Sequence, residues 1–274
     1  MKQTISKIRT NGGLLTPFLT YTGAFLYSII MIIAIHEFGH YLAYLWRGYD
    51  SVQVMINPFM GATMSAKEIR LEDAVYIILA GTVVNLSVAT LVTLLLRNKP
   101  SPYWIPLKMI PATAFLIEGM VIVAGFFIQE RVTDFSMLIS LGWSPFLVGV
   151  LGIVFLLLGG YLTYEVWLLV GVQPESPRLR LLLFDGGFIL YTVSGFLLSE
   201  YLLPPDMVMI KRFLRVNCSL HWLYLAIRIF FAPSILPVIQ NRLQGKSYQM
   251  PKRASSLSMI LGFAAWVSSI LFLN

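Results

Sequence analysis

FLYSIIMIIAIHEFGHYLAYLW, residues 25–46 of this 274-residue chain, is long and apolar enough to cross a bilayer, yet it contains His36, Glu37 and His40. On a helix, the two histidines lie four residues apart on one face, where both imidazoles can bind one Zn²⁺ ion. Glu37 then lies beside the ion as a general base for a water molecule. Structural polar residues are the alternative, but three ionisable groups in one membrane turn are costly without partners and a task. The stretch therefore predicts a hydrolytic zinc site inside the membrane.

The composition of the chain is that of a polytopic membrane protein. Hydrophobic residues make up 57% and charged residues 12%, and the charged share is about half the roughly 25% found in soluble domains. The mean hydropathy is +0.77. The formal net charge is +7, but the lysines and arginines are scattered through short loops, where they set topology and contact lipid phosphates. We therefore expect the lipid bilayer, and not nucleic acid, as their partner. The single cysteine, Cys218, excludes an intramolecular disulfide and a thiolate metal cluster.

Apolar segments of about 20 residues or more divide the chain into candidate transmembrane spans. They fall near 18–46, 74–96, 109–129, 145–171, 181–203, 213–239 and 255–273. The prediction is an all-α polytopic membrane protein with about seven transmembrane segments, located in the inner or plasma membrane of a cell. Residues 1–274 are expected to form a single membrane-embedded metalloprotease domain, with a motif core at about 18–203 and additional C-terminal spans at about 213–273.

Residues 51–65 predict a short membrane-associated β-hairpin directly after the first motif helix. Val52 and Val54 alternate with other residues, Asn57-Pro58 is typical of a turn, and Gly61 allows close approach of the backbone. The free edge of such a hairpin can pair with an extended substrate segment through main-chain hydrogen bonds, which makes Val52, Val54 and Gly61 candidate substrate-binding residues. An ordinary surface hairpin is the alternative interpretation.

Two further motifs place polar residues in apolar surroundings. In Ala80-Gly81-Thr82-Val83-Val84-Asn85, the glycine and the asparagine share a helix face, so a close helix contact would bring the Asn85 amide into the bundle interior. In Leu183-Phe184-Asp185-Gly186-Gly187, an aspartate stands at the start of an apolar segment. Asp185 is interpreted either as a helix N-cap or as a metal ligand.

These motifs together resemble the site-2 protease family of intramembrane zinc metalloproteases. Their order is that of the family: the His-Glu-x-x-His helix, a hairpin with a glycine, a helix similar to Ala-Gly-Pro-x-x-Asn, and a motif similar to Leu-Asp-Gly. The likeness covers the motif-bearing stretches of roughly residues 25 to 200. It implies a zinc endopeptidase that hydrolyses peptide bonds in or near the transmembrane segments of a membrane protein or peptide, in regulated intramembrane proteolysis or peptide processing.

The resemblance also implies roles for particular residues. His36, His40 and Asp185 are expected to bind one zinc ion, Glu37 to act as the catalytic base, and Asn85 to help present the substrate strand. The rivals of Asp185 as the third ligand are His221, Glu118 and Glu165, each of which lies in an apolar segment.

The chain departs from the family pattern at several positions. Thr82 replaces the proline usual after Ala-Gly, and Phe184 replaces the leucine before the aspartate. Residues 98–144 form an insertion relative to the minimal core of the family. The distribution of loop lysines and arginines favours a cytoplasmic amino terminus, whereas the resemblance implies that the first motif helix runs inward. An additional crossing near 131–144 would change the later loop assignments, so both orientations stay open.

Two other classes of protein compete with the protease interpretation. A membrane metal-ion transporter would use His36, Glu37 and His40 to bind or conduct ions, and it predicts polar residues spread along several spans. A catalytically inactive relative would bind membrane helices, and it predicts loss of the glutamate or of a histidine. All three motif residues are present.

Overall fold

The structure, a computed structural model, describes residues 15–56, 61–97, 101–127, 133–172, 185–197, 208–242 and 252–271, with short pieces at 99, 181–182, 200–201 and 205. Helices dominate this part of the chain. They are α1 (Leu15–Trp46), α2 (Leu71–Leu96), α3 (Ile105–Phe127), α4 (Asp134–Ser140), α5 (Pro145–Leu169), α6 (Gly186–Leu197), α7 (Val208–Arg242) and α8 (Lys252–Leu271). A short 3-10 turn, Pro102–Trp104, precedes α3. Strands β1 (Val52–Ile56) and β2 (Gly61–Ser65) follow α1.

Among the described residues, five helical segments are long and apolar enough to cross a membrane, consistent with a multi-pass membrane protein. These segments are Leu15–Trp46, Leu71–Leu96, Pro102–Phe127, Pro145–Leu169 and Leu214–Arg242. Two shorter apolar helices, Gly186–Leu197 and Ser255–Ser268, lie where the sequence predicts further spans. The described residues 133–144 contain helix α4, whose seven residues reach about 10 Å, so this helix does not add a crossing.

Helix α1 lies at the centre of the bundle, in contact with α2, α3, α6, α8 and both strands. Its polar residues pair with neighbouring helices, since Ser28 Oγ lies 2.7 Å from Thr113 Oγ1 of α3 and Thr20 donates a hydrogen bond to Ser255 of α8. At Gly23, α1 and α8 approach so closely that a Cβ there would lie 2.5 Å from the carbonyl oxygen of Ser258. Small residues permit such helix crossings in membranes, where packing drives association.

The predicted β-hairpin is present. Strands β1 and β2 pair antiparallel, with Val52 opposite Ser65 and Ile56 opposite Gly61. The predicted turn at Asn57-Pro58 lies outside the described residues. Both strands contact α1. Val52 of β1 packs with Ala43, and Thr63 of β2 bonds to Glu37, so the hairpin lies beside the His-Glu-x-x-His motif.

The packing of α3 against α5 generates the first prediction, because two glycines of α5 differ sharply in their surroundings. A Cβ on Gly159 would lie 2.6 Å from the backbone nitrogen of Leu116, whereas a Cβ on Gly149 would make ordinary contacts with the ring of Phe126 from 3.6 Å. We expect Gly159→Ala to lower the free energy of unfolding by about 1–3 kcal/mol through overpacking, measured by denaturant unfolding in detergent. Gly149→Ala is the matched control, and equal stability of the two variants would contradict the close packing.

Candidate metal centre

Three potential ligand atoms converge near the carboxyl-terminal half of α1. The Nε2 atoms of His36 and His40 lie 3.0 Å apart, and Asp134 Oδ2 lies 3.0 Å from the first and 3.2 Å from the second. Within the described part of the chain these residues form a group able to hold a metal ion. The side chains of His36 and Asp134 are 19% and 24% exposed, so the site is open on one side and otherwise enclosed by the bundle.

The imidazole rings are oriented from behind by acceptors. His36 Nδ1 lies 2.7 Å from Glu118 Oε1, and His40 Nδ1 lies 2.7 Å from the carbonyl oxygen of Ile77. A carboxylate and a carbonyl only accept hydrogen bonds, so each Nδ1 carries the proton. In a neutral imidazole this leaves a lone pair on Nε2, the tautomer that binds a metal ion.

The spacing of the three converging atoms is that of ligands around one cation. Two Nε2 lone pairs and a carboxylate oxygen repel one another at these separations unless a proton or a metal ion intervenes. Ligand atoms at about 2.0–2.1 Å from a tetrahedral Zn²⁺ ion lie about 3.3 Å from one another. The observed separations of 3.0–3.2 Å fall within a few tenths of an ångström of that spacing. The donor set therefore fits a tetrahedral ion with one position left for another ligand.

Asp134 reaches the site from the first residue of α4. Thr133 caps this helix, because its hydroxyl accepts a hydrogen bond from the Ser136 amide while the Ser136 hydroxyl accepts one from the Thr133 amide. Phe135 and Leu138 anchor α4 in a buried apolar cluster. Burial raises the pKa of the Asp134 carboxyl, but hydrogen bonds from His36 and His40 in their protonated form, together with the attraction of their positive charges, outweigh that effect and hold the pKa well below its usual range. A metal ion in place of those protons would favour the ionised carboxylate in the same way. The carboxylate is therefore ionised and available as a ligand.

Helix α2 supports the site along one face. A Cβ on Gly81 would lie 2.5 Å from His40 Nε2 and 2.7 Å from His36 Nε2, so only glycine leaves room for the two imidazoles. Thr82, the next residue, and Asn85, one turn further, donate hydrogen bonds of 3.0 and 2.8 Å to the carboxylate of Glu118. Thr82, which stands where the family pattern has proline, thus supports the carboxylate that orients His36.

Glu37 lies beside the metal ligands and under the hairpin. The Thr63 hydroxyl of β2 donates a 2.7 Å hydrogen bond to Glu37 Oε2. The backbone of Gly61 packs against the same carboxylate, and any Cβ at that position would overlap Oε1 of Glu37. The hairpin therefore orients Glu37: the Thr63 hydroxyl donates a hydrogen bond to its carboxylate, and the Gly61 backbone packs against it.

A cavity of about 700 Å³ opens in front of these residues. Its walls come from α1, β2, α2, α3, α4, α6 and α7, and they include Gly61, Thr63 and Asn85 together with Ile32, Ile33 and Val121. Of the predicted hairpin residues, the structure places only Gly61 against this cavity. Val52 packs on a buried cluster that contains Ala43, and Val54 is exposed. Strand β2 is thus the strand that faces the cavity.

Asp185 is not brought to the two histidines. Its carboxylate is fully buried and forms an ion pair with Arg228 of α7, whose guanidinium also lies over the ring of Trp167 at 5.0 Å. As in the N-cap alternative, Asp185 directly precedes α6, and its backbone carbonyl accepts a hydrogen bond from the Ile189 amide. Its side chain forms no capping hydrogen bond among the described residues. The structure therefore brings Asp134, and not the predicted Asp185, to the two histidines, because the Asp185 carboxylate is paired with Arg228.

The other rivals for the third ligand also have different partners. His221 donates from Nδ1 to the carbonyl oxygen of Asn217 at 2.6 Å, and it is enclosed by aromatic rings. Glu165 pairs with Lys108 and Arg242, each at 2.6 Å. Glu118 contacts His36 on the side away from the converging atoms.

Asp134 was missed because it lies in the stretch that looks like an insertion. The signal in the sequence is Thr133-Asp134-Phe135-Ser136, a capping pattern at the start of a short apolar helix. Periodicity identifies that helix start, but it does not reveal that the helix returns to the histidines.

Comparison with known proteins gives no match, since no protein-family model, curated protein or solved structure is significantly similar to this chain.

The different positions of the two aspartates generate the second prediction. Asp134→Ala should abolish stoichiometric metal binding, because it removes one of three protein ligands. Asp185→Ala should keep the metal but lower the free energy of unfolding by about 3–5 kcal/mol, because it leaves Arg228 buried without its partner. Elemental analysis and denaturant unfolding of the purified variants measure both effects. Normal metal content in Asp134→Ala with loss in Asp185→Ala would restore the original assignment.

The contact between Glu118 and His36 generates the third prediction. Glu118→Ala should weaken metal binding about 10–100-fold, because the ring loses the acceptor that fixes its tautomer and direction. Glu118→Gln keeps an acceptor oxygen and should lose less. Competition with a chromogenic chelator measures the affinity, and Glu68→Ala, at an exposed position, is the control. Unchanged affinity in a folded Glu118→Ala protein would contradict the orienting role.

Proposed function

We propose that this chain is an intramembrane zinc endopeptidase. The observation that carries the proposal is the convergence of His36, His40 and Asp134 beside Glu37, inside a bundle of apolar helices. Two histidines and a carboxylate are the ligand set of several hydrolytic zinc enzymes, and they leave one coordination position open. One zinc ion is the expected cofactor.

The chemistry divides between the ion and the glutamate. When bound, a zinc ion supplies Lewis acidity, which polarises a carbonyl oxygen and acidifies a water molecule. Glu37 accepts a proton from the attacking water and donates it to the nitrogen of the departing amine. The Thr63 hydroxyl, 2.7 Å from Oε2, holds this carboxylate toward the cavity. The partly exposed side chains of His36 and Asp134 lie at the opening through which water would enter.

The proposed substrate is a transmembrane protein or peptide whose helix unwinds locally. The carbonyl groups of an intact helix are hydrogen-bonded within the helix, so a scissile bond in a membrane segment has to become extended before it is attacked. Strand β2 lines the cavity beside Glu37, where an extended segment would add to its edge. Gly61 and the Asn85 amide lie at the same cavity and are the residues we propose to contact that segment.

The proposal keeps the site-2 protease resemblance for the motif helix, the hairpin and the Ala80–Asn85 helix, and it changes the third ligand from Asp185 to Asp134. It includes seven crossings of the inner or plasma membrane, five from the long apolar helices and two from the predicted spans near 181–203 and 255–273, in which the two shorter apolar helices lie. Hydrolysis in regulated intramembrane proteolysis or peptide processing is the proposed role.

Metal-ion transport is the competing proposal. A transporter requires polar groups along a path through the membrane. The other described buried charges pair with one another, as in Asp185 with Arg228 and Glu165 with Lys108, and this favours a structural role for them. A catalytically inactive helix-binding protein has no need of the short hydrogen bond that orients Glu37.

The fourth prediction tests the protease proposal through its general base. Glu37→Gln should keep the metal and the fold but lose proteolysis by about 10³-fold or more, because the amide does not accept the proton of water. Membrane proteins that accumulate uncut in cells expressing Glu37→Gln identify the substrate, and cleavage of that substrate by the purified parent measures the activity.

The matched control is Glu72→Gln, the same substitution at an exposed position of α2. Full activity of Glu37→Gln would contradict the role of the base. Absence of cleavage by the parent, combined with zinc uptake into proteoliposomes, would replace the protease proposal by transport.

A further inference from the structure

Helices α6 and α7 contribute a wall of the cavity to which the sequence motifs assign no role. Tyr191 of α6 and Leu214 and Asn217 of α7 line the cavity together with the metal ligands. Asn217 is 8% exposed, and its Oδ1 has no hydrogen-bond partner among the described residues. A buried amide oxygen without a partner is uncommon in folded proteins, and such a group indicates a ligand or an ordered water.

The backbone around Asn217 is firmly held. Its carbonyl oxygen accepts a 2.6 Å hydrogen bond from His221 Nδ1, and the Cys218 thiol contacts the carbonyl oxygen of Thr192 on α6 at 3.3 Å. The ring of His221 packs against Phe188, with 5.0 Å between the ring centroids. Asn217 is thus fixed at the cavity by contacts that do not occupy its amide oxygen, as expected for a preorganised binding group.

The chemistry of the cavity points to a peptide main chain as the ligand. Isoleucine, leucine and valine side chains make up much of its wall, which suits the apolar side chains of a membrane segment. An unwound segment also presents backbone N–H groups that have lost their helical acceptors. Asn85 on α2, which is 3% exposed and lines the same cavity, also has an amide oxygen without a hydrogen-bond partner among the described residues. Amide oxygens accept hydrogen bonds from N–H groups.

We infer that Asn217 is a substrate-binding residue, whose Oδ1 accepts a hydrogen bond from a backbone N–H of the unwound substrate segment. This inference rests on the proposed function and extends it to the substrate. The segment lies between β2 and α7, with the metal ligands and Glu37 at its middle. Recognition through the main chain is independent of sequence, so the same contact serves different apolar segments.

The experiment uses the full chain with zinc and, as the probe, a synthetic transmembrane peptide of the protein that accumulates in Glu37→Gln cells. Asn217→Leu replaces the amide by an apolar group of similar size. We expect KM to rise about three- to tenfold, the loss of one net hydrogen bond, with kcat and zinc content near those of the parent. Binding of the peptide to Glu37→Gln should weaken by the same factor when Asn217→Leu is added. Ser219→Ala is the control, since that exposed hydroxyl bonds only within α7 in the described structure.

A second measurement begins with the parent protein and changes the peptide. Peptides in which an ester replaces one amide near the cleavage site lack a single N–H donor. One such ester should weaken binding to the parent, and it should cause no further loss when Asn217 is already leucine, because both changes remove the same bond.

Unchanged KM in a cleaving Asn217→Leu enzyme, or additive losses at every ester position, would overturn the role of Asn217 but leave the protease proposal standing. Absence of any cleavage by the parent would overturn the protease proposal and this inference with it.

Discussion

The hydrogen bond between His36 Nδ1 and Glu118 Oε1 fixes the relative positions of three helices. Glu118 is 4% exposed within an apolar bundle, where an ionised carboxylate is stable only if donors surround it. His36 on α1 and Thr82 and Asn85 on α2 supply those donors, at 2.7–3.0 Å. The hydrogen bonds to this one buried carboxylate therefore fix how far α1, α2 and α3 are shifted along their axes relative to one another. It also selects the tautomer that leaves Nε2 of His36 free to bind a cation.

The remaining buried charges follow the same constraint with a different result. Asp185 pairs with Arg228, and Glu165 pairs with Lys108 and Arg242, so that α3, α5, α6 and α7 are joined by ion pairs. These charges neutralise one another inside the bundle. His36, His40 and Asp134 instead converge on a point at the edge of a cavity. The bundle thus separates charges that complete the packing from charges that remain available to a ligand.

The donor set combines elements of different kinds. Both histidines lie on the long central helix, whereas Asp134 lies at the capped start of a seven-residue helix that does not cross the membrane. The hairpin adds a third element, since Thr63 and Gly61 hold Glu37 from the opposite side. Each group is oriented by a neighbour that is itself buried or hydrogen-bonded. Such preorganised groups would suit the hydrolysis proposed above.

Local sequence patterns were sufficient to predict the long apolar helices, the hairpin and the position of His36 and His40 on one helix face. Each of these features depends on residues that are close in sequence. The third carboxylate depends on residues about 100 positions apart, and motif order pointed to Asp185 instead of Asp134. Only packing decides which acid reaches the histidines. Arg228, remote in sequence, neutralises Asp185, while the capped turn at Thr133 directs Asp134 toward His36 and His40. A buried charge is assigned by its nearest partner in space, and that partner is determined by the tertiary structure.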